Sequence, residues 1–486
     1  FFFSSRRWHT RSFHVTGVQT CALPICNWES HPERRVANEM RRDTQQLRNN
    51  DTFTIQFDTY YDHRNGVLFG ANPAGGRVDG DFSNLQYNAD YNPIWDLGTA
   101  RFEGGWVFEA AVPFKSLRYR PGPNQVWGFN ARRTVRWKNE SSHIVPLPSR
   151  GISALAITSL APNLVGLEVP DSTRLVEIKP YVVGGVATDL TANPPTRNVG
   201  TKDAGVDVKL GLTQNLTADF TYNTDFAQVE ADEQQVNLTR FNLFFPEKRD
   251  FFLEGLGTFA FAGRASAGLA AGTGDTPYLF FSRRIGLDQS REIPILAGGR
   301  ATGKAGKFTF GALNVQTGAD DAAKIDNANF TVLRAKRDIL RRSSIGGMLT
   351  HRTSTPGRVG ANDGYGIDAT FSFFQNLNLG GYYANSQTDG VTKDTASYQG
   401  RAEWAGDRWG ATLQYLNVGD NFAPEVGFVK RDNFDRSYAS ARFSPRTRKH
   451  FRGSPSAPAC NSTSPTRSTK STSDRRGETA PRSEQV

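Results

Sequence analysis

The chain has 486 residues, 37% hydrophobic and 22% charged, with a formal net charge of +10 that sits at its ends: +3 in residues 1–26, +6 in 446–486 and only +1 in 27–445. Basic tails are more often solvated than bound to nucleic acid, so no nucleic-acid partner is expected. Cys21, Cys26 and Cys460 fall in those same ends, which excludes a disulfide or thiolate site from the body of the chain; the lack of any run of about 18 apolar residues excludes a helical membrane span but not a β-barrel, whose signal is alternation.

Residues 1–26 include SSRRWHTRSFHVTGVQTCALPIC, which resembles translated sequencing-adapter DNA and is set apart from the fold. A signal-peptide reading fails because Gly17, Gln19, Thr20 and Pro24 interrupt the apolar stretch. Residues 27–50 are charged and unpatterned, the expected remnant of a domain lacking its first strands. The domain 27–170 reads as an antiparallel β-sandwich, with strands at Thr52–Asp58, Gly66–Asn72, Trp106–Val112, Val126–Arg133 and His143–Leu147 between Gly, Pro and Asn clusters. Phe53, Ile55 and Phe57 alternate with Thr54, Gln56 and Asp58, so one face packs inward and the other is polar.

From residue 171 to 445 the segments lengthen. Val206, Val208, Leu210 and Leu212 turn at Gln214–Asn215 into Leu216, Ala218, Phe220 and Tyr222; Tyr398 to Trp404 turns at Gly406–Arg408 into Trp409, Ala411, Leu413 and Tyr415. Strands of 9–11 residues can cross a bilayer tilted, Arg401 and Glu403 keep to one face, and Tyr382, Tyr383, Trp404, Trp409 and Tyr415 gather toward strand ends as girdles do. The expectation is a partial outer-membrane-type barrel of ten to thirteen strands, with a bulge at Gly311, where the apolar phase of Lys307–Gln316 changes. The Ser/Thr/Pro/Arg-rich segment 446–486 reads as a disordered tail. The whole chain is thus all-β, a sandwich followed by a barrel, and reads as a fragment.

The most specific stretch is Tyr222–Gly255, YNTDFAQVEADEQQVNLTRFNLFFPEKRDFFLEG, with Asp225, Glu230, Asp232, Asn237, Arg240, Phe241, Phe245, Pro246, Glu247, Lys248, Arg249, Phe251, Phe252, Glu254 and Gly255. It resembles the signature segment of the bacterial domain of unknown function 5916. Members of that family resemble outer-membrane β-barrels preceded by a module like family 9 of the carbohydrate-binding modules. Here the module-like segments are Asp58–Gly80, Gly104–Tyr119 and Trp127–Glu140.

That resemblance implies a polysaccharide or oligosaccharide partner, outer-membrane lipid around the barrel, and a sandwich in the periplasm. Sugar recognition needs flat aromatic faces and planar polar groups. Trp95 and Trp137, in polar loop settings, are the expected exposed platforms, with Asn72, Asp81 and Arg132 as hydroxyl partners; Trp106 and Trp127 are expected in the core. A glycoside hydrolase stays open as an alternative, with Glu247 and Glu254 as acid and base candidates. So does a purely structural barrel. The competing reading of the signature is that its acids and bases pair with one another on a lumen wall or in an inward-folded loop. No metal or cofactor is expected: the histidines are scattered, and calcium at the acidic run stays an open but unsupported alternative because the run lacks the spacing of a calcium loop.

Overall fold

The computed structural model describes residues 20–444 and 471–475, apart from stretches of which the longest are 146–154, 225–240, 264–273 and 354–360. Among the described residues the first unit contains β1 (Thr20–Trp28), β2 (Thr52–Asp58), β3 (Asn65–Ala71), β4 (Arg77–Ser83), β5 (Gln86–Asn88), β6 (Asp96–Phe102), β7 (Gly105–Pro113), β8 (Gln125–Val135), β9 (Glu140–His143) and β10 (Asn163–Leu167). They form two antiparallel sheets, β1-β7-β6 and β10-β8-β2-β3-β4-β5, with β9 added to β8. Phe53, Ile55, Phe57 and Phe69 of the larger sheet meet Trp106, Phe108, Ala110 and Val112 of the smaller, all at most 3% exposed. Alternating apolar residues on two sheets can only be buried against each other, and this produces the sandwich.

Two sequence expectations need correction. Residues 20–26 are not separate from the fold: they run into β1, which pairs with β7 along its length, and Ile25 packs on the core. The pairing satisfies a backbone edge that β7 would otherwise expose. Residues 27–50, unpatterned in sequence, are tied into the fold. The Asn50 amide oxygen accepts the Asn38 and Glu39 backbone N–H groups, and the Asp51 carboxylate accepts those of Val36 and Arg136. The strand expected at His143–Leu147 lies at Glu140–His143 instead, because Asn139 adopts a left-handed turn (φ 52°) that folds the chain back onto β8.

The second unit contains β11 (Val176–Asp189), β12 (Thr196–Thr213), β13 (Leu216–Tyr222), a small hairpin of β14 (Leu287–Asp288) and β15 (Arg291–Glu292), then β16 (Ile295–Ala305), β17 (Phe308–Thr317), β18 (Asn329–Ile339), β19 (Ser343–Arg352), β20 (Asn362–Phe373), β21 (Leu377–Thr388), β22 (Ala396–Ala405), β23 (Trp409–Val418), β24 (Phe434–Phe443) and β25 (Ser471–Arg475). Leaving out the β14–β15 hairpin, they form one antiparallel meander of thirteen strands in chain order. Among the described residues no ladder joins β11 to β25, so the wall is a partial barrel.

Its two faces differ. Phe308, Phe310, Leu333, Leu349, Ile367, Tyr383, Tyr398, Trp404, Leu413 and Tyr415 point outward and are exposed, while Leu313, Val332, Met348, Ala384 and Leu416 point inward into one buried cluster. A single cluster touching strands from β17 to β24 requires the sheet to curl around it. No bulge occurs at Gly311: β17 pairs with β18 in unbroken register. The change of phase has another cause. Phe308 and Phe310 face outward, and farther along the strand the inner face turns apolar at Leu313 and Val315, which meet the cluster. Tyr382 also departs from expectation, pointing inward with its hydroxyl on Ser397 rather than joining a girdle.

An outward apolar band is a lipid-facing surface. Ile367→Arg is therefore expected to cost about 2–4 kcal/mol of folding free energy in bilayers if it lies near mid-depth. Denaturant titration in lipid vesicles measures this; a soluble sheet, whose exposed face already meets water, would show almost no change.

Candidate functional site

From β12 to β24 the strand connections sort by length. Residues 214–215, 306–307, 340–342, 374–376 and 406–408 close one end with short turns, while 223–294, 318–328, 353–361, 389–395 and 419–433 lie at the other. The longest of these carries the signature, and its described part folds back inside the curled sheet. Phe251, Phe252, Leu256, Phe259, Phe261, Leu279, Phe280 and Ile285 pack there on inward residues of the wall. At Gly311 an added Cβ would come within 2.9 Å of the Phe259 ring, so the missing side chain makes room for the plug.

Ion pairs hold this plug at both strand and segment. Arg300 pairs with Asp219 at 2.8 Å and donates to the Phe251 carbonyl at 2.6 Å. Arg334 grips Asp368 with two hydrogen bonds of 2.6 and 2.9 Å, and the same carboxylate accepts the Ala262 backbone N–H at 3.0 Å. Within the segment, Arg249 pairs with Glu247 at 2.8 Å, both side chains fully buried, and donates to the carbonyls of Ile285 and Ser282 at 2.7 and 2.9 Å. Arg352 pairs with Glu425, and Arg436 with Asp275. Buried charges of this kind are retained only when paired and hydrogen-bonded. The signature phenylalanines face these cations: Phe252 lies 4.3 Å from the Arg249 guanidinium, Phe251 5.3 Å from that of Arg300, Phe245 5.5 Å from that of Arg283 and Phe241 5.7 Å from that of Arg431. Gly255 adopts φ 67° against Thr302.

Asp225, Glu230, Asp232, Asn237, Arg240, Pro246, Lys248 and Glu254 lie outside the described residues. Glu247 does not fit the catalytic role weighed for it: it is 2% exposed and both of its oxygens bond to Arg249, so it fastens a turn. The wall partners Asp219, Arg300, Arg334 and Asp368 were missed. Their signal was present as charges at alternate, inward positions of otherwise apolar strands.

The residues expected to bind sugar are scattered. Trp95 is not an exposed platform but 2% exposed, stacked edge-on with Phe69, its indole N–H donating to Asp79 at 3.0 Å. The Pro-Ile-Trp-Asp loop turns inward because this N–H finds a buried carboxylate. Asn72 is also sealed, bonded to the Glu39 carbonyl and the Ala74 and Gly76 N–H groups. Trp137 is 36% exposed, with Arg34 5.0 Å from its ring, and Lys138 and His31 beside it. Asp81 is half-buried on β4, and Arg132 lies on β8. Among the described residues no three candidate ligands converge on a metal site.

The sandwich meets the barrel through the β2–β3 loop. Arg64 pairs with Asp338 at 2.7 Å and donates to the carbonyls of Ile339, Leu340 and Ser343, while Lys304 bonds to Asp62 at 2.5 Å and Asp338 at 3.3 Å. Burial works to raise the Asp62 carboxyl, but the charge and hydrogen bond of Lys304 prevail and hold it below its ordinary range. Burial, and then the Asp62 charge, push the neighbouring Asp58 carboxyl up to about 7.

These features define a class: an outer-membrane-type β-barrel wall with an internal plug, joined to a β-sandwich. Residues 171–298 match the family model of the domain of unknown function DUF5916. No curated protein matches the chain. Among solved structures it is similar to OccK11 (OpdR) of Pseudomonas aeruginosa, at 9% identity over 81% of this chain and 83% of that one, with a TM-score of 0.27. It is similar also to OccAB3 of Acinetobacter baumannii, at 8% identity over 81% and 88%, with a TM-score of 0.28. The P pilus usher (PapC) translocation pore is matched at 9% identity over 80% and 95%, with a TM-score of 0.18.

Two outcomes follow from this geometry. Arg249→Met leaves Glu247 buried without its partner, a loss of about 3–5 kcal/mol for a broken buried pair. Limited proteolysis is expected to cut within 241–285 sooner than in the parent while the strands survive. For Asp58, a raised carboxyl pKa means that ionisation penalises the folded state. The penalty is absent below the ordinary value of about 3.9, complete above about 7, and so lowers stability as pH rises between them. Asp58→Asn should flatten the dependence of the thermal midpoint on pH across that window.

Proposed function

We propose that this protein is an outer-membrane channel for capture and uptake of a glycan, with the plug controlling the route and the sandwich facing the periplasm. The carrying observation is the contact of Asp62 and Arg64 with the short-turn end. Barrels of bacterial outer membranes keep short turns toward the periplasm and long loops outside, so a module docked on the short turns belongs on the inner side. The inward charges Asp219, Arg300, Arg334 and Asp368 mark the route for hydrophilic solutes, and because the plug fills the interior that route opens only when the pairs Arg300–Asp219 and Arg334–Asp368 rearrange. The carbohydrate part rests on the module resemblance and on Trp137, the expected platform that is exposed.

The orientation is tested in intact cells with a membrane-impermeant maleimide, after Cys21, Cys26 and Cys460 have been replaced. Lys393→Cys, in the connection 389–395, should label without permeabilisation. Lys115→Cys, exposed on the sandwich, should label only after the outer membrane is opened. Labelling of Lys115→Cys in intact cells would place the sandwich outside and contradict the proposal.

A further inference from the structure

The lipid-facing wall ends differently at its two borders. From β17 to β24 the outward strand positions carry, among the described residues, three full charges: Arg337 toward the short turns, and Asp363 and Asp435 toward the long connections. Their neighbours follow the same division. Cross-strand register sets Asn314, Thr331, His351, Asp363 and Gln387 in one row over five strands, and Tyr398, Asn417 and Asp435 in a second over three. Directly opposed residues share a face of the sheet. These rows therefore lie on the face of Leu333, Leu349, Ile367 and Tyr415, and they continue the apolar band at its upper edge.

The long-connection border is a hydrogen-bonding belt. Asn314 donates to Asn329 and Thr331 at 2.7 and 2.8 Å, and the His351 ring meets Asp363 Oδ1 at 2.7 Å. Asp435 Oδ1 accepts the Asn417 amide at 2.6 Å and the Tyr415 hydroxyl at 3.1 Å. Among the described residues these bonds use one oxygen of each carboxylate, and a carboxylate has roughly four acceptor sites, so both keep capacity on a face that already meets lipid. The opposite border has another chemistry. Arg337 lies 5.2 Å from the Phe308 ring, Trp409 and Phe443 pack ring to ring at 4.3 Å, and the adjoining turns add Lys307, Arg342 and Arg408.

A lipid phosphodiester is an anion and only an acceptor, so Arg337 attracts it while Asp363 and Asp435 repel it. A saccharide headgroup carries hydroxyls that donate to carboxylates and exchange bonds with amides in both directions. We propose that the long-connection border seats the saccharide headgroup of a glycolipid, its hydroxyls on Asn314, Thr331, Asp363, Asn417 and Asp435, while the short-turn border takes phosphodiester headgroups. This rests on the outward face meeting lipid and is independent of glycan uptake and of the position of the sandwich.

The test is native mass spectrometry of the full chain, released from micelles after titration with digalactosyldiacylglycerol or phosphatidylglycerol, lipids that share their tails and differ in headgroup. Replacing His351, Asp363, Asn417 and Asp435 together by Leu removes bonded partners in pairs. Affinity for the glycolipid should then fall at least about tenfold, with no fall for phosphatidylglycerol. Arg337→Leu should do the reverse, weakening phosphatidylglycerol by about fivefold and leaving the glycolipid unchanged. Asp363→Asn with Asp435→Asn keeps the shape of the belt and should raise affinity for phosphatidylglycerol by lifting the repulsion. Glycolipid affinity that survives the four substitutions, or that falls together with affinity for phosphatidylglycerol, overturns the proposal, as does an Asn variant that gains nothing for phosphatidylglycerol. A parent that binds neither lipid contradicts the lipid-facing wall itself.

Discussion

Lipid cannot accept an unpaired polar group, and that requirement organises the barrel half of this chain. Between its two edge strands the thirteen-strand ladder consumes the backbone donors and acceptors, and the alternation of the strands sends Ile367, Leu349 and Leu413 outward. The same alternation forces Asp219, Arg300, Arg334 and Asp368 inward, where they would be left in a space poor in water. The signature segment resolves both problems of that space. Its carbonyl at Phe251 and N–H at Ala262 complete the polar groups of the wall, and its phenylalanines cover the inward apolar patch at Leu313, Val315, Val332 and Met348. Wall and plug are therefore one structure, and the specific sequence of the signature follows from what the wall leaves unsatisfied.

Among the described residues the sandwich joins that structure by charge, through Arg64, Asp62, Lys304 and Asp338. Arg64 reaches into the turn after β18, and Lys304 reaches back to Asp62, so each partner supplies both signs. Such a contact fixes orientation through paired, mutually dependent groups, and it brings the raised Asp58 carboxyl next to the seam. Movement of the sandwich would require separating Arg64 from Asp338 and Lys304 from Asp62 together.

Much of the fold was legible because its strands alternate cleanly. The hairpins β12–β13 and β22–β23 could be read residue by residue, and Trp106 and Trp127 lie in the core as their apolar runs implied. What was not legible depends on contacts distant in sequence. The phase change in β17 looked like a bulge because the plug that makes Leu313 and Val315 apolar comes from another segment. Trp95 looked exposed because its partner, Asp79, lies on a strand whose distance from it could not be read locally. The strand at Thr20–Trp28 was hidden by composition, since nothing within it announces that β7 has a free edge. For the site, the phenylalanines and Glu247 stood out by density, whereas the arginines that hold them were single charges in separate strands.

The central claim is that successive residues of one strand see lipid and interior in turn. Its most direct measurement is a spin-label scan of β23 (Trp409–Val418) in bilayers, with collision rates for dissolved oxygen and for a polar nickel chelate. The account predicts a period of two, with oxygen contact high at 409, 411, 413 and 415 and low at 410, 412, 414 and 416. Uniform access of the chelate along the strand, or a scan without that period, would contradict it.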